Sequence, residues 1–185
     1  MTNIKETLDK IKERISNADF LDNKGLANEV GIHVFNYAPE DELIVRGYVE
    51  RLANAQADGY RVIERDMYNI LLEILEEKRV TAAVAGIEEK KGKDYLLAQI
   101  QKIATPEAFL AKMQYEPHER GDVLFLTGVG KVYPFMRAHN MLDCMQQAFA
   151  DIPIVMFYPG EFNGQSLSLF NEFHDGNYYR AFNLI

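Results

Sequence analysis

The stretch from Asp122 to Asp143, DVLFLTGVGKVYPFMRAHNMLD, sets a glycine pair, a lysine, an arginine and a histidine directly after an apolar run of strand length. An apolar run, Val123 to Leu126, leads into Gly128 and Gly130, with Thr127 and Lys131 beside them. Strand, glycine turn and helix, in that order, cradle phosphate in many nucleotide-binding folds. The strict comparison fails. A P-loop needs a glycine five residues before the Gly-Lys pair and a Ser or Thr after the lysine, positions held here by Phe125 and Val132. The dinucleotide fingerprint needs a third glycine where Tyr133 stands. Two readings remain. Consecutive backbone N–H groups could form an anion nest with Lys131 adjacent, or the glycines could make a tight turn that lets a helix pack on its strand.

Other constellations are thinner. His139 and Asp143 are four apart, so on a helix they share a face, but two ligands do not make a metal site. His118 with Glu116 and Glu119 is no better, and neither HExxH nor CxxC occurs. Ser166 and Ser168 lack the second glycine of a nucleophile elbow. The lone Cys144, between Leu142 and Met145, reads as a small hydrophobe rather than an activated thiolate. Asp66 is either an acid at a strand end or the cap of the next helix. Asp66 and Glu161 could pair only if strand order brought them together. The residues themselves therefore assign no catalytic group, no metal and no cofactor.

The elements that would position these groups alternate. Ile4, Leu8, Ile11 and Ile15 mark an amphipathic helix, with Thr2 a candidate cap, whose stripe faces either the core or a partner. A loop with a short helical turn is expected over 17–30. Ile32 to Tyr37 is a strand, and Pro39 with Glu40, Asp41 and Glu42 opens a helix whose buried face would be Leu43, Ile44, Tyr48, Val49 and Leu52. Tyr60 to Arg65 is a second strand, followed by a helix carrying Ile70, Leu71, Ile74 and Leu75. From Val80 to Tyr115 the spacing is helical, interrupted by Gly92, with 88–93 a solvated turn and Thr105-Pro106-Glu107 opening a further helix. Val123 to Leu126 and Ile152 to Tyr158 are the third and fourth strands, the latter ended by Pro159-Gly160. A short helix is expected at Leu167, Phe170 and Phe173, then an edge strand over 178–185. The expectation is one α/β domain over 1–185: three layers, a mainly parallel sheet of about five strands, P-loop/Rossmann-like but without a Walker A motif, and a helical insertion at about 80–119. Ligands of such sheets bind beyond the carboxyl ends of the strands.

Twenty basic and twenty-eight acidic residues give a net charge of −8, which argues against general phosphate-backbone binding. One cysteine suits a reducing cytoplasm. The charged N-terminus, MTNIKETLDKIKERI, does not read as a signal peptide, and no stretch reaches the roughly 20 apolar residues that span a bilayer.

Five stretches together resemble a known family: NEVGIHVFNYAPEDELIVR (28–46), VIERDMYNILLEILEE (62–77), FLTGVGKVYPFMRAHNML (125–142), IPIVMFYPGEFNGQSLSLF (152–170) and NYYRAFNLI (177–185). They are similar to the BrxB family of bacteriophage-exclusion (BREX) defence systems; 80–119 contributes little. The resemblance implies a role in phage defence beside a DNA methyltransferase, ATPase-like proteins and a PglZ-type alkaline-phosphatase-like protein, the last being the foremost expected partner. It carries over no catalytic residues. The matched positions Thr127, Gly128, Gly130, Tyr133, Pro134, Arg137, His139, Tyr158, Pro159, Gly160, Glu161, Gly164, Gln165 and Ser166 remain candidates without assigned roles; the candidate strand-end surface is Asn36, Tyr37, Asp66, Thr127 to Lys131 and Tyr158 to Glu161, with Tyr133, Arg137, His139 and Gln165 beside it. The expected function is a cytoplasmic, non-enzymatic interaction or assembly subunit; the alternative is a nucleotide- or anion-binding regulator or enzyme using that surface.

Overall fold

The computed structural model describes residues 4–22, 31–55, 59–174, 176–177 and 179–185. Thr2, most of the loop expected over 17–30, and Tyr178 lie outside the described residues. The elements run α1 (Ile4–Ile15), α2 (Ala18–Leu21), β1 (Ile32–Tyr37), α3 (Glu42–Asn54), β2 (Arg61–Asp66), α4 (Met67–Glu77), α5 (Val84–Lys91), α6 (Lys93–Ile103), α7 (Pro106–Met113), β3 (Asp122–Thr127), α8 (Val129–Val132), α9 (Ala138–Ala148), β4 (Ile154–Phe162), β5 (Leu167–Leu169), β6 (Phe173–His174) and β7 (Phe182–Asn183).

The parallel sheet has the order β2-β3-β4-β1-β7, with β5 and β6 added antiparallel beyond the end of β4. Its central strands are apolar throughout because both faces are covered. Alternation along each strand divides the side chains. Phe35, Tyr37, Val123, Phe125, Val155 and Phe157 face α1, α2 and α3. Ile32, Val34, Leu124, Leu126, Ile154 and Met156 face the helices from α4 to α9. The first face is aromatic: the Phe157 ring lies 5.6 Å from Phe35 and 4.9 Å from Phe125, distances at which tilted rings attract beyond simple burial. Helices on both faces of a mainly parallel sheet make the three-layer α/β architecture.

Several local expectations require correction. The buried stripe of α3 is Val45, Val49 and Leu52, while Leu43 is 76% and Ile44 40% exposed. At 100° per residue, Leu43 sits about 200° round the helix from Val45, so apolar type alone misassigned its face. Glu88 to Lys91 form the last turn of α5, not a loop; the break is confined to Gly92, whose φ is 83°. Pro159 and Gly160 do not end β4. The carbonyl of Pro159 accepts from the Phe170 N–H at 2.9 Å, so its missing N–H costs no bond on that side, and the strand continues into an antiparallel pair with β5. The helix expected at Leu167, Phe170 and Phe173 is instead β5, a turn with Phe170 and Asn171 at positive φ, and β6. The edge strand near the C-terminus is present but short, two residues paired parallel to β1.

Candidate functional site

At the carboxyl edge of the sheet, the ends of β1, β2 and β3 open between α3 and α4 into a cavity of about 540 Å³. Asp66, last in β2, stands at the start of α4 with extended backbone, and its Oδ1 accepts from the N–H groups of Tyr68 (2.9 Å) and Asn69 (3.1 Å). Those are donors that a helix start leaves without intrahelical partners. Its Oδ2 meets Lys131 Nζ at 2.5 Å. The Lys131 ammonium also lies 5.8 Å from the Tyr68 ring centroid. Gly128, with φ 70°, lies against the same carboxylate, and any side chain there would collide with it. Thr127, last in β3, donates its hydroxyl to Glu64 Oε1 at 2.8 Å. Tyr37, last in β1, donates to Glu42 Oε2 at 2.6 Å; burial first, then this bond, pushes its phenol well above the ordinary range.

The glycine turn is therefore compact. Helix α8 is a single turn, closed by Val132 N–H to Gly128 carbonyl at 3.0 Å. A Cβ on Gly130 would come within 2.8 Å of Pro159 and 2.9 Å of Phe170, so its bare backbone lets α8 sit on β4 and the turn after β5.

The remaining candidates fall elsewhere. Tyr133, Arg137 and Tyr158 line a separate groove of about 310 Å³, closed by Val129, Met136 and Phe173, with the Tyr133 and Phe173 rings 4.9 Å apart. The Tyr133–Pro134 peptide is cis. His139 and Asp143 do share a face of α9, and they border a third pocket with Tyr179 and Arg180. Gly160 has φ 149° and is pressed against the Ser168 carbonyl, while its own carbonyl accepts from Asn36 Nδ2 at 3.4 Å. Glu161 is exposed opposite Ser168 in the β4–β5 pair, so Asp66 and Glu161 lie on strands separated by β3. Gln165 uses its carbonyl to hold the Tyr179 N–H at 2.9 Å, and Ser166 Oγ accepts from Asn163 Nδ2 at 3.0 Å. The resemblance motif is thus split between a polar cavity and an aromatic groove.

Sequence reasoning passed over Glu42, Glu64 and Arg46, which line the cavity with Asp66. Only strand order brings Glu64 beside Thr127. It also missed the opposite edge. There Asp122 is 1% exposed and accepts from Arg61 at 2.7 and 2.8 Å, from Tyr115 hydroxyl at 2.9 Å and from Glu119 N–H at 3.0 Å. Burial alone would raise its carboxyl, but those donors together hold it below the usual range. His118 pairs with Asp151 at 2.8 Å rather than with Glu116 or Glu119. The Cys144 thiol is pushed up, first by burial and then by Glu107 and Asp143. Among the described residues, no group of three or more His, Cys, Asp or Glu is placed to hold a metal ion, and no helix is long and apolar enough to cross a membrane.

Comparison with known proteins follows the same outline. The family model described as "BREX protein BrxB" matches residues 63–184. A protein of that description from Bacillus cereus (strain H3081.97) is 41% identical over 192 aligned residues, covering 100% of this chain and 99% of the relative. Another from Escherichia coli O9:H4 (strain HS) is 32% identical over 184, covering 96% of this chain and 90% of the relative. No solved structure matches the chain.

Proposed function

The chain belongs to the BrxB family of BREX proteins, and we propose that it is a phage-defence component that works by binding other BREX proteins in the cytoplasm rather than by chemistry of its own. One observation carries the non-enzymatic reading. At the strand ends, where this architecture places catalysis, the polar groups are engaged by the scaffold itself. Asp66 caps α4 and binds Lys131, Thr127 holds Glu64, and Tyr37 holds Glu42. A general base needs a free lone pair aimed at substrate, and a phosphate cradle needs a cation not already neutralised. Lys131, the one cation of the glycine turn, is held by Asp66.

The net charge of −8 favours protein partners over DNA, and the PglZ-type protein of the same system is the partner we name first. The fold then acts as one rigid frame displaying side chains. Affinity capture of the tagged chain from cells expressing the whole operon tests this. Recovery of the PglZ-type protein in stoichiometric amount is the expected result. A thermal-shift series with ATP, GTP and divalent metals is the counter-test, since a ligand that binds only the folded state raises its melting temperature. A shift with any of them that is lost in Lys131→Ala would replace the binding role with a nucleotide-dependent one.

A further inference from the structure

Two large aliphatic side chains stand exposed beside the strand-end cavity: Leu43 (76% exposed) and Leu72 (43%). Leu43 shares its face of α3 with Arg46 and Glu50, three and seven residues on, which line the cavity. Leu72 lies one turn on from Asn69 and next to Glu73, which line the opposite wall on α4. No element among the described residues covers them.

The charge between them is negative. Asp66 is neutralised by Lys131, and Lys112 by Glu77 at 2.8 Å, leaving Glu42, Glu50, Glu64 and Glu73 against Arg46 and Arg65. Glu42 and Glu64 each accept one hydrogen bond from a neutral hydroxyl, of Tyr37 and Thr127, which leaves the charge uncancelled. Arg65 is occupied with the Met113 and Glu64 carbonyls. A negatively charged slot between two aliphatic lips complements one kind of occupant.

We infer that the α3–α4 face, with Leu43 and Leu72 beside the strand-end cavity, docks a basic amphipathic segment of a protein partner. The partner's aliphatic side chains lie on the lips and its Lys or Arg groups enter the slot. This rests on the binding role proposed above and specifies where and through what chemistry it operates. The groove at Tyr133 and Phe173 is the rival surface. Its lining mixes Arg137, Glu172 and His174 and selects no sign of charge.

The test uses the full chain and the purified PglZ-type and other operon proteins, each offered in turn, with affinities measured at about 50 and about 500 mM salt. Two variants probe the face: Glu50→Lys with Glu73→Lys, and Leu43→Ser with Leu72→Ser. All four positions are exposed, and unchanged thermal melts check that the variants fold. Phe173→Ser probes the groove. The expected result is binding that weakens as salt rises, a loss of at least about tenfold in each face variant, and no change in Phe173→Ser. Wild-type binding that survives both face variants, or that Phe173→Ser abolishes, overturns this surface and leaves the binding role standing. Failure of the wild-type chain to bind any operon protein overturns the binding role itself.

Discussion

Asp66 and Lys131, 65 residues apart in sequence, meet at 2.5 Å across the turn that follows β3. The same carboxylate caps α4, and Gly128 must lack a side chain to make room for it. One acid thus joins the end of β2, the start of α4 and the glycine turn, which is why that turn is occupied from within.

The two halves of this contact separate by mutation. Lys131→Met removes a partly buried ion pair and the ammonium's contact with the Tyr68 ring, and should lower stability by about 0.5–1 kcal/mol. Asp66→Ala removes the cap as well and should cost about 2 kcal/mol. Urea denaturation of both variants checks the ordering; equal losses would mean the cap contributes nothing.

His33 sets a pH dependence. It is 3% exposed, between the rings of Phe20 and Phe182, and its Nδ1 has no partner among the described residues. Burial, then the Arg14 charge, lowers its pKa to about 4. Below the ordinary value near 6.5 the unfolded chain takes up a proton that the folded chain refuses, so stability falls as pH drops from about 6.5 to 4. The expected loss is about 3 kcal/mol. His33→Phe should flatten that window in a denaturation series.

Asp122 acts at lower pH and through a depressed carboxyl, so its contribution is present above the ordinary carboxylate range and is lost as pH falls through it. Asp122→Asn leaves Arg61 and Tyr115 facing a neutral group. It should cost about 2–3 kcal/mol at pH 7, with the gap to wild type closing below about pH 4. A constant gap would show that the loss is packing, not charge.

Two glycines should respond in opposite senses. Gly160, at φ 149° against the Ser168 carbonyl, cannot accept a methyl, and Gly160→Ala should cost more than about 2 kcal/mol. Gly86, inside α5 with open space around it, should gain about 0.5–1 kcal/mol on Gly86→Ala through helix propensity. Thermal melts of the pair check both signs.

The legible parts of this fold were those with one dominant signal. Continuous apolar runs marked β3 and most of β4, a β-rich run marked β1, three- and four-residue spacing marked α1 and α4, and Asp66 before an apolar helix announced its cap. The illegible parts had competing signals. Pro159-Gly160 reads as a stop, yet proline blocks only one side of a ladder, and Leu167, Phe170 and Phe173 mimic a helical period across two strands and a turn. The cavity was legible at its strand ends, Tyr37, Asp66, Thr127 and Gly128. Glu64 reaches it through strand order and register, which no local pattern encodes, whereas Glu42 lies only five residues after Tyr37, whose hydroxyl donates to it.

The central claim, a BREX component that acts by binding, is tested most directly by the mass of the complex it forms. Light scattering behind size-exclusion of the chain co-expressed with the PglZ-type protein should show one peak whose mass exceeds that of either protein alone and contains both. Elution of this chain alone, with every operon protein in turn, would contradict it.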